Sequence, residues 1–317
     1  MFPFRFGLQA GRVSDPHAWT DLARRAEAEG YSAFMIPDHL GRLATFPALM
    51  AAAAVTRSIK LTTYVLNQDF RPPPLLAVEA ATVQLLTGGR LELGVGAGWA
   101  EREYVQAGLR YDPAPERVAR FDEYLRVVKD LLYAEAPLSF DGKWYTLREF
   151  QPLPRSAEHG PPPILVGGGS KNVLSTAGRL AEIISIATRA TPDSRIDARN
   201  ITLAQVEQKL AWIRAAAGAR FDDIELNMTV RDVAITDDRR AAARQLLTSW
   251  QSGRTMMANA DALTEDDILD SPHVALGTIS QIVEQFTTMR DKWGISYYEI
   301  NNSDMESIAP VVERLAH

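Results

Sequence analysis

Apolar positions recur along the chain with two different periods. Residues 4–9, 33–36, 60–65, 91–95, 164–167, 183–186, 224–230 and 297–300 are short runs rich in apolar and β-branched side chains, which predicts strands. Between them apolar residues return every three or four positions, as a helix with one buried face requires. Trp19, Leu22, Ala23 and Ala26 form one such set, and Leu76, Ala80, Val83 and Leu86 another. Phe121, Leu125, Val128 and Leu132 follow, then Val173, Leu174, Ala177 and Leu180, then Val206, Leu210 and Ile213. Residues 46–57, 238–252, 279–293 and 304–316 complete the helices. In the first unit the ends are marked as well. Asp15 before Pro16 predicts an N-cap with proline at the first helical position, and Gly30 predicts the stop.

Strand and helix therefore alternate eight times without a low-complexity linker, and residues 1–317 read as a single domain. Such alternation requires a parallel sheet covered by helices. Eight units fit a closed (β/α)8 TIM barrel, and an open doubly wound sheet is the alternative. Two connections are long for either fold, 135–162 after strand four and 253–277 after strand seven. Long connections in compact domains are commonly lids or binding loops.

Composition removes several kinds of function. The 317 residues are 46% hydrophobic and 23% charged and include no cysteine, so disulfides, thiol catalysis and thiolate metal sites are out. A net charge of −6 speaks against a nucleic-acid partner. The apolar stretch 47–55 is too short to cross a bilayer, and the N-terminus has no secretory pattern, so a cytoplasmic protein is expected. No metal site is expected, because no histidine pair or carboxylate cluster has ligand spacing. Asp261, Glu265, Asp266, Asp267 and Asp270 read as a solvated loop and helix start.

A barrel carries its chemistry at the C-terminal ends of its strands. Strand two ends in Pro37-Asp38-His39, and His39 is one of only five histidines, suited either to proton transfer or to a structural bond. Strand five ends in Gly167-Gly168-Gly169-Ser170 ahead of a helix. That arrangement either lets backbone N–H groups approach a phosphate or makes a tight turn without a ligand. If it binds phosphate, a bulky residue at Gly168 should weaken binding more than stability. Strand four ends in Gly94-Val95-Gly96-Ala97-Gly98-Trp99, where Gly96 and Gly98 leave room for a flat ligand or relieve backbone crowding. Strand three runs from Tyr64 and Val65 into the polar Asn67, and strand six ends in Thr188 and Arg189.

Asn67 to Trp99, NQDFRPPPLLAVEAATVQLLTGGRLELGVGAGW, is the strongest part of a likeness that covers nearly the whole chain. With Pro37-Asp38-His39, the triple glycine and GTISQIVEQFTTMRDKWGISYYEI from Gly277, it resembles the bacterial luciferase-like flavin and deazaflavin oxidoreductase superfamily. The resemblance implies a TIM barrel, commonly a homodimer, with a flat ring at its mouth. One branch uses FMN, supplied by a partner flavin reductase, to activate oxygen. The other uses coenzyme F420 to move hydride to or from a small organic substrate, and this chain looks closer to it. In that branch a non-prolyl cis peptide supports the ring, by position Tyr64–Val65 here. Asp38, His39, Asn67, Gly96 and Gly98 would then neighbour the ring, with His39 contacting it or shuttling a proton. Gly167, Gly168, Gly169, Ser170 and Thr188 would hold the cofactor phosphate. The sugar-phosphate dehydrogenases of the branch place a glutamate where Trp99 stands. That departure speaks against glucose 6-phosphate and for a more apolar substrate or another proton donor, unless Trp99 simply packs on the fourth helix. A non-catalytic binding protein on the same fold is the reading from another class, and the polar strand ends argue against it.

Overall fold

Eight parallel strands form the centre of the molecule: β1 (Arg5–Gln9), β2 (Ala33–Ile36), β3 (Lys60–Thr63), β4 (Leu91–Gly96), β5 (Ile164–Gly168), β6 (Ile183–Ile186), β7 (Glu225–Thr229) and β8 (Ile295–Asn301). They bond in the order β3-β2-β1-β8-β7-β6-β5-β4, and β3 meets β4 at Leu61↔Leu91 and Thr62↔Glu92. The sheet is thus a closed barrel, and the open doubly wound alternative falls. The computed structural model describes residues 1–11, 15–155, 158–191 and 193–316.

Helices α1 (Pro16–Ala28), α2 (Thr45–Ala53), α3 (Pro73–Leu86), α4 (Glu101–Ala107), α5 (Ala114–Tyr133), α6 (Lys171–Leu180), α7 (Leu203–Ala217), α8 (Arg239–Gln251), α9 (Glu265–Leu269), α10 (Ile279–Trp293) and α11 (Met305–Leu315) complete the chain. Their ends follow local chemistry. Asp15 accepts the His17 N–H at 2.9 Å and Pro16 opens α1, as its sequence predicts. Thr278 and Gln281 form a capping box at α10, and Gly294, at φ 78°, closes it. Outward-facing strand residues such as Leu8, Phe34, Leu93, Val166 and Ile184 pack against the helices in the main core. Ala33, Met35, Leu165, Ile183 and Tyr297 fill the barrel interior, with Tyr64 and Val65 against them.

The structure departs from the sequence reading where distant contacts intervene. Helix α2 ends at Ala53 instead of 57, because the Glu27 carboxylate collects the N–H groups of Arg57 (2.9 Å), Ser58 (2.7 Å) and Ile59 (2.9 Å) and fixes a turn there. Strand three stops at Thr63 and resumes as Leu66–Asn67, which pairs with Val95 and Gly96. The 135–162 connection contains an antiparallel hairpin, Leu138–Asp141 with Thr146–Phe150, whose turn N–H groups are gathered by Glu123. The 253–277 connection contains α9 and a strand, Val274–Gly277, parallel to Asp232–Ile235. The acidic residues there do include a helix start, with Thr264 and Asp267 as a capping box. Together with residues 196–201 these segments enclose a second small core around Ile201, Leu247, Trp250, Ile268 and Leu276.

Candidate active site

His39 follows β2, and its Nδ1 lies 2.7 Å from Oε1 of Glu103. Glu103 belongs to α4, a helix the sequence pattern did not reveal. Tyr104, the next residue, is buried and anchors α4 to the end of strand three, its hydroxyl donating to Asn67 Oδ1 (3.0 Å) and Asp69 Oδ2 (2.8 Å). Arg120 ties Asp69 (2.8 Å) to Asp112 (2.7 Å) across the base of the same segment. Those bonds present Glu103 to His39. The Trp99 ring stands edge-on to His39 at 6.1 Å and is 41% exposed. Its carbonyl accepts from the hydroxyls of Tyr111 (3.0 Å) and Ser194 (3.3 Å).

Asp38 is occupied. Its carboxylate accepts from Arg71 Nη1 at 2.7 Å, from Thr45 Oγ1 at 3.1 Å and from the Asn67 N–H at 3.1 Å, so it fixes the ends of strands two and three to each other. Asn67 is likewise engaged, its Oδ1 capping the Asp69 N–H at 3.0 Å.

The Tyr64–Val65 peptide is cis, as the resemblance implied. The Tyr64 hydroxyl meets Ser185 Oγ at 2.6 Å, Asn227 Oδ1 at 2.7 Å and Thr229 Oγ1 at 3.1 Å, which pins its ring inside the barrel. Burial, opposed by those hydroxyl bonds and joined by the Glu299 charge, pushes the phenol well above its ordinary pKa, so it stays protonated. Val65 lies over three glycines. A Cβ at Gly96 would come within 2.8 Å of its Cγ2, and at Gly94 or Gly167 within 3.2 Å of its Cγ1. Gly98, at φ +73°, has the Tyr104 hydroxyl and Asn67 where a Cβ would go. The space beside Gly96 and Gly98 is thus taken up by neighbouring side chains, Val65 at the first and Tyr104 and Asn67 at the second.

The 167–170 loop opens α6, with the Ser170 side chain accepting the Val173 N–H at 3.5 Å. A Cβ on Gly168 would strike Val173, and one on Gly169 would lie 2.7 Å from the Ala187 carbonyl. A bulky residue at Gly168 would therefore disturb α6 as well as any ligand, so it does not separate binding from stability. Thr188 accepts from Arg231 Nη2 at 2.7 Å. Behind it Lys209 donates to the carbonyls of Ala187 (2.9 Å) and Asn200 (3.1 Å), and burial together with the Arg231 and Arg189 charges lowers its pKa to about 7. Glu299, on β8, faces the same space; burial, only partly offset by Arg231 and Thr229, raises its carboxyl to about 7.

The structure thus brings His39 and Trp99 together at one side of the mouth, and gathers Thr188 with the 167–170 loop at the other. Sequence reasoning missed Glu103, Lys209, Arg231 and Glu299. Only Glu299 carried a legible signal, a carboxylate in phase with inward Tyr297 on an apolar strand.

The closed barrel and its polar mouth define an α/β-barrel enzyme class that works at strand ends. The profile of the luciferase-like monooxygenase family matches residues 1–296, and the chain belongs to that family. An F420-dependent glucose-6-phosphate dehydrogenase of Nakamurella multipartita is 30% identical over 249 residues, covering 75% of this chain and 70% of that protein. The coenzyme F420-dependent tetrahydromethanopterin reductase of Methanopyrus kandleri shares the fold with a TM-score of 0.74 at 18% identity, over 98% of this chain and 97% of that one. EDTA monooxygenase from Chelativorans sp. BNC1 gives 0.73 at 17% identity, over 99% and 94%. These three are a dehydrogenase, a reductase and a monooxygenase.

Proposed function

We propose that the protein is an F420-dependent oxidoreductase that moves hydride between the deazaflavin and a small organic substrate. The observation that carries this reading is the His39–Glu103 pair at the mouth, a proton-handling pair. The mouth fits a flat ring with an anionic tail. Tyr64 and Val65 make a pinned floor, Asn227 Nδ2 and Arg231 Nε are buried donors without partners among the described residues, and the 167–170 loop leads to the N-terminus of α6. Those residues, with Ser170 and Thr188, would hold the cofactor, which supplies the hydride donor or acceptor when bound.

The protein's own part is proton handling and orientation. With Nδ1–H donating to Glu103, the ring is held in one tautomer and Nε2 is the acceptor. Nε2 then takes the hydroxyl proton of an alcohol being oxidised, or returns it to a carbonyl being reduced. Trp99 gives that position an apolar wall, which favours a substrate less polar than a sugar phosphate. The second reading, an FMN-dependent monooxygenase fed by a partner flavin reductase, is supported by the family's own description. Turnover of F420 with a panel of small alcohols and carbonyls, run without oxygen, separates the two. Sustained anaerobic turnover is expected. Oxygen uptake with reduced FMN, and no anaerobic turnover, would replace this reading by the second, and binding of neither cofactor would favour a non-catalytic protein.

The same reading includes a cytoplasmic homodimer. Leu75, Val78, Leu85 and Leu86 are exposed at helical spacing on α3, a face whose one charge, Glu79, is drawn to Arg71. A second copy of the chain would cover it. Leu86→Glu should convert a dimer to monomers in light scattering; a wild-type protein already monomeric would refute the dimer.

A further inference from the structure

The chain is net negative, at −6, yet positive charge is concentrated at the end of β6. Arg231 and Lys209 converge there on Ala187 and Thr188, with Arg189 beside them. Arg231 has no carboxylate within 4.0 Å among the described residues. Its Nη2 is spent on a neutral hydroxyl, and its Nε is buried without a partner. Asn227 Nδ2, on β7 just before Arg231 and fully buried, also has none among the described residues. Two acids act on this guanidinium from beyond ion-pair distance: Glu299, only partly ionised near neutral pH, and Asp232, whose carboxyl burial raises to about 6, so neither completes it by contact. A buried cation without a partner is unfavourable, and proteins keep one where a ligand completes it. The 167–170 loop lies directly alongside, since Gly169 abuts the Ala187 and Thr188 backbone.

We infer that Arg231 is an anion-binding residue: held in place by Thr188, its guanidinium receives a phosphate or carboxylate group of a ligand lodged at the end of β6. Lys209, itself only partly protonated near neutral pH, positions the strand end without touching the ligand. The anion has two possible sources, the phosphate of the cofactor or an acidic group of the substrate. The first source rests on the cofactor reading above; the second does not.

The test compares wild type with Arg231→Met and Arg231→Lys. Binding of F420 and of its phosphate-free chromophore, the 8-hydroxy-5-deazaflavin riboside, is followed by fluorescence. Thermal stabilisation by inorganic phosphate or acetate is measured with and without cofactor. If the cofactor phosphate is the partner, Arg231→Met weakens F420 about tenfold or more, leaves the riboside within about twofold, and Arg231→Lys recovers part of the loss. If a substrate group is the partner, F420 binding is unchanged, but phosphate or acetate stabilises the cofactor-loaded wild type and not Arg231→Met. Without ligand, Arg231→Met should melt no lower than wild type, since it removes an unpaired buried charge; a purely structural arginine would lower the melting temperature. Should Arg231→Met fail to fold, the inference is overturned. Unchanged binding of F420, phosphate and acetate would overturn it too. Failure of wild type to bind F420 would remove only the cofactor reading, and the phosphate and acetate arm would still decide the role of Arg231.

Discussion

The barrel buries charge at both ends and treats it in opposite ways. At the N-terminal end Arg5 reaches Glu225 at 2.6 Å and also pairs with Glu92, while Thr62 (2.8 Å) and Tyr297 (3.0 Å) donate to the same Glu92. The Arg5 guanidinium also lies 4.1 Å from the Tyr297 ring centre. Burial opposes its charge, but Tyr297, Glu92 and Glu225 outweigh that and hold it firmly protonated. At the C-terminal end Arg231 has no ion pair among the described residues, Glu299 is held partly protonated near neutral pH, and His39 has another titratable group as its partner. Charges that complete one another inside the protein serve its stability. Charges left incomplete are available to something that enters.

Substitutions at the two ends should therefore fail in different measurements. The largest effect is expected at the mouth. His39→Ala should lower kcat/KM by about 10²–10⁴-fold with cofactor affinity and melting temperature unchanged; a loss of stability instead would make His39 structural. At the other end, Arg5→Met strands two buried carboxylates and should cost about 3–5 kcal/mol in denaturant unfolding. Cofactor affinity should not move, and if it did the division between the two ends would fail.

A smaller effect follows from Glu299. Its folded pKa, about 7, is raised above the ordinary 4.5, so the native state binds the extra proton between those values. Its contribution to stability is full below about pH 4.5 and is lost as pH rises through about 7. Glu299→Gln should therefore gain on wild type across that window, by up to roughly 3 kcal/mol. A difference between the two proteins that does not vary with pH would show that the carboxyl is not held protonated.

The two ends also differ in how far they could be read from sequence. The barrel was legible because alternating periods report which face of each element is buried, and each strand end then marks a place at the mouth. His39 and Trp99 were found that way. Glu103 was not, because it reaches His39 across 64 positions from a seven-residue helix too short to show a period. Arg231 was hidden for a similar reason: its meaning lies in a missing partner, which only packing reveals. Gly96 and Gly98 were visible, but not their reason. The side chain that fills the gap at Gly96 is Val65, which comes from the neighbouring strand.

The central claim is that the incomplete end of the barrel receives a deazaflavin. Equilibrium titration of the purified protein with F420 and with FMN, followed by cofactor fluorescence, tests it most directly. The account predicts tighter binding of F420, and tighter binding of FMN would contradict it.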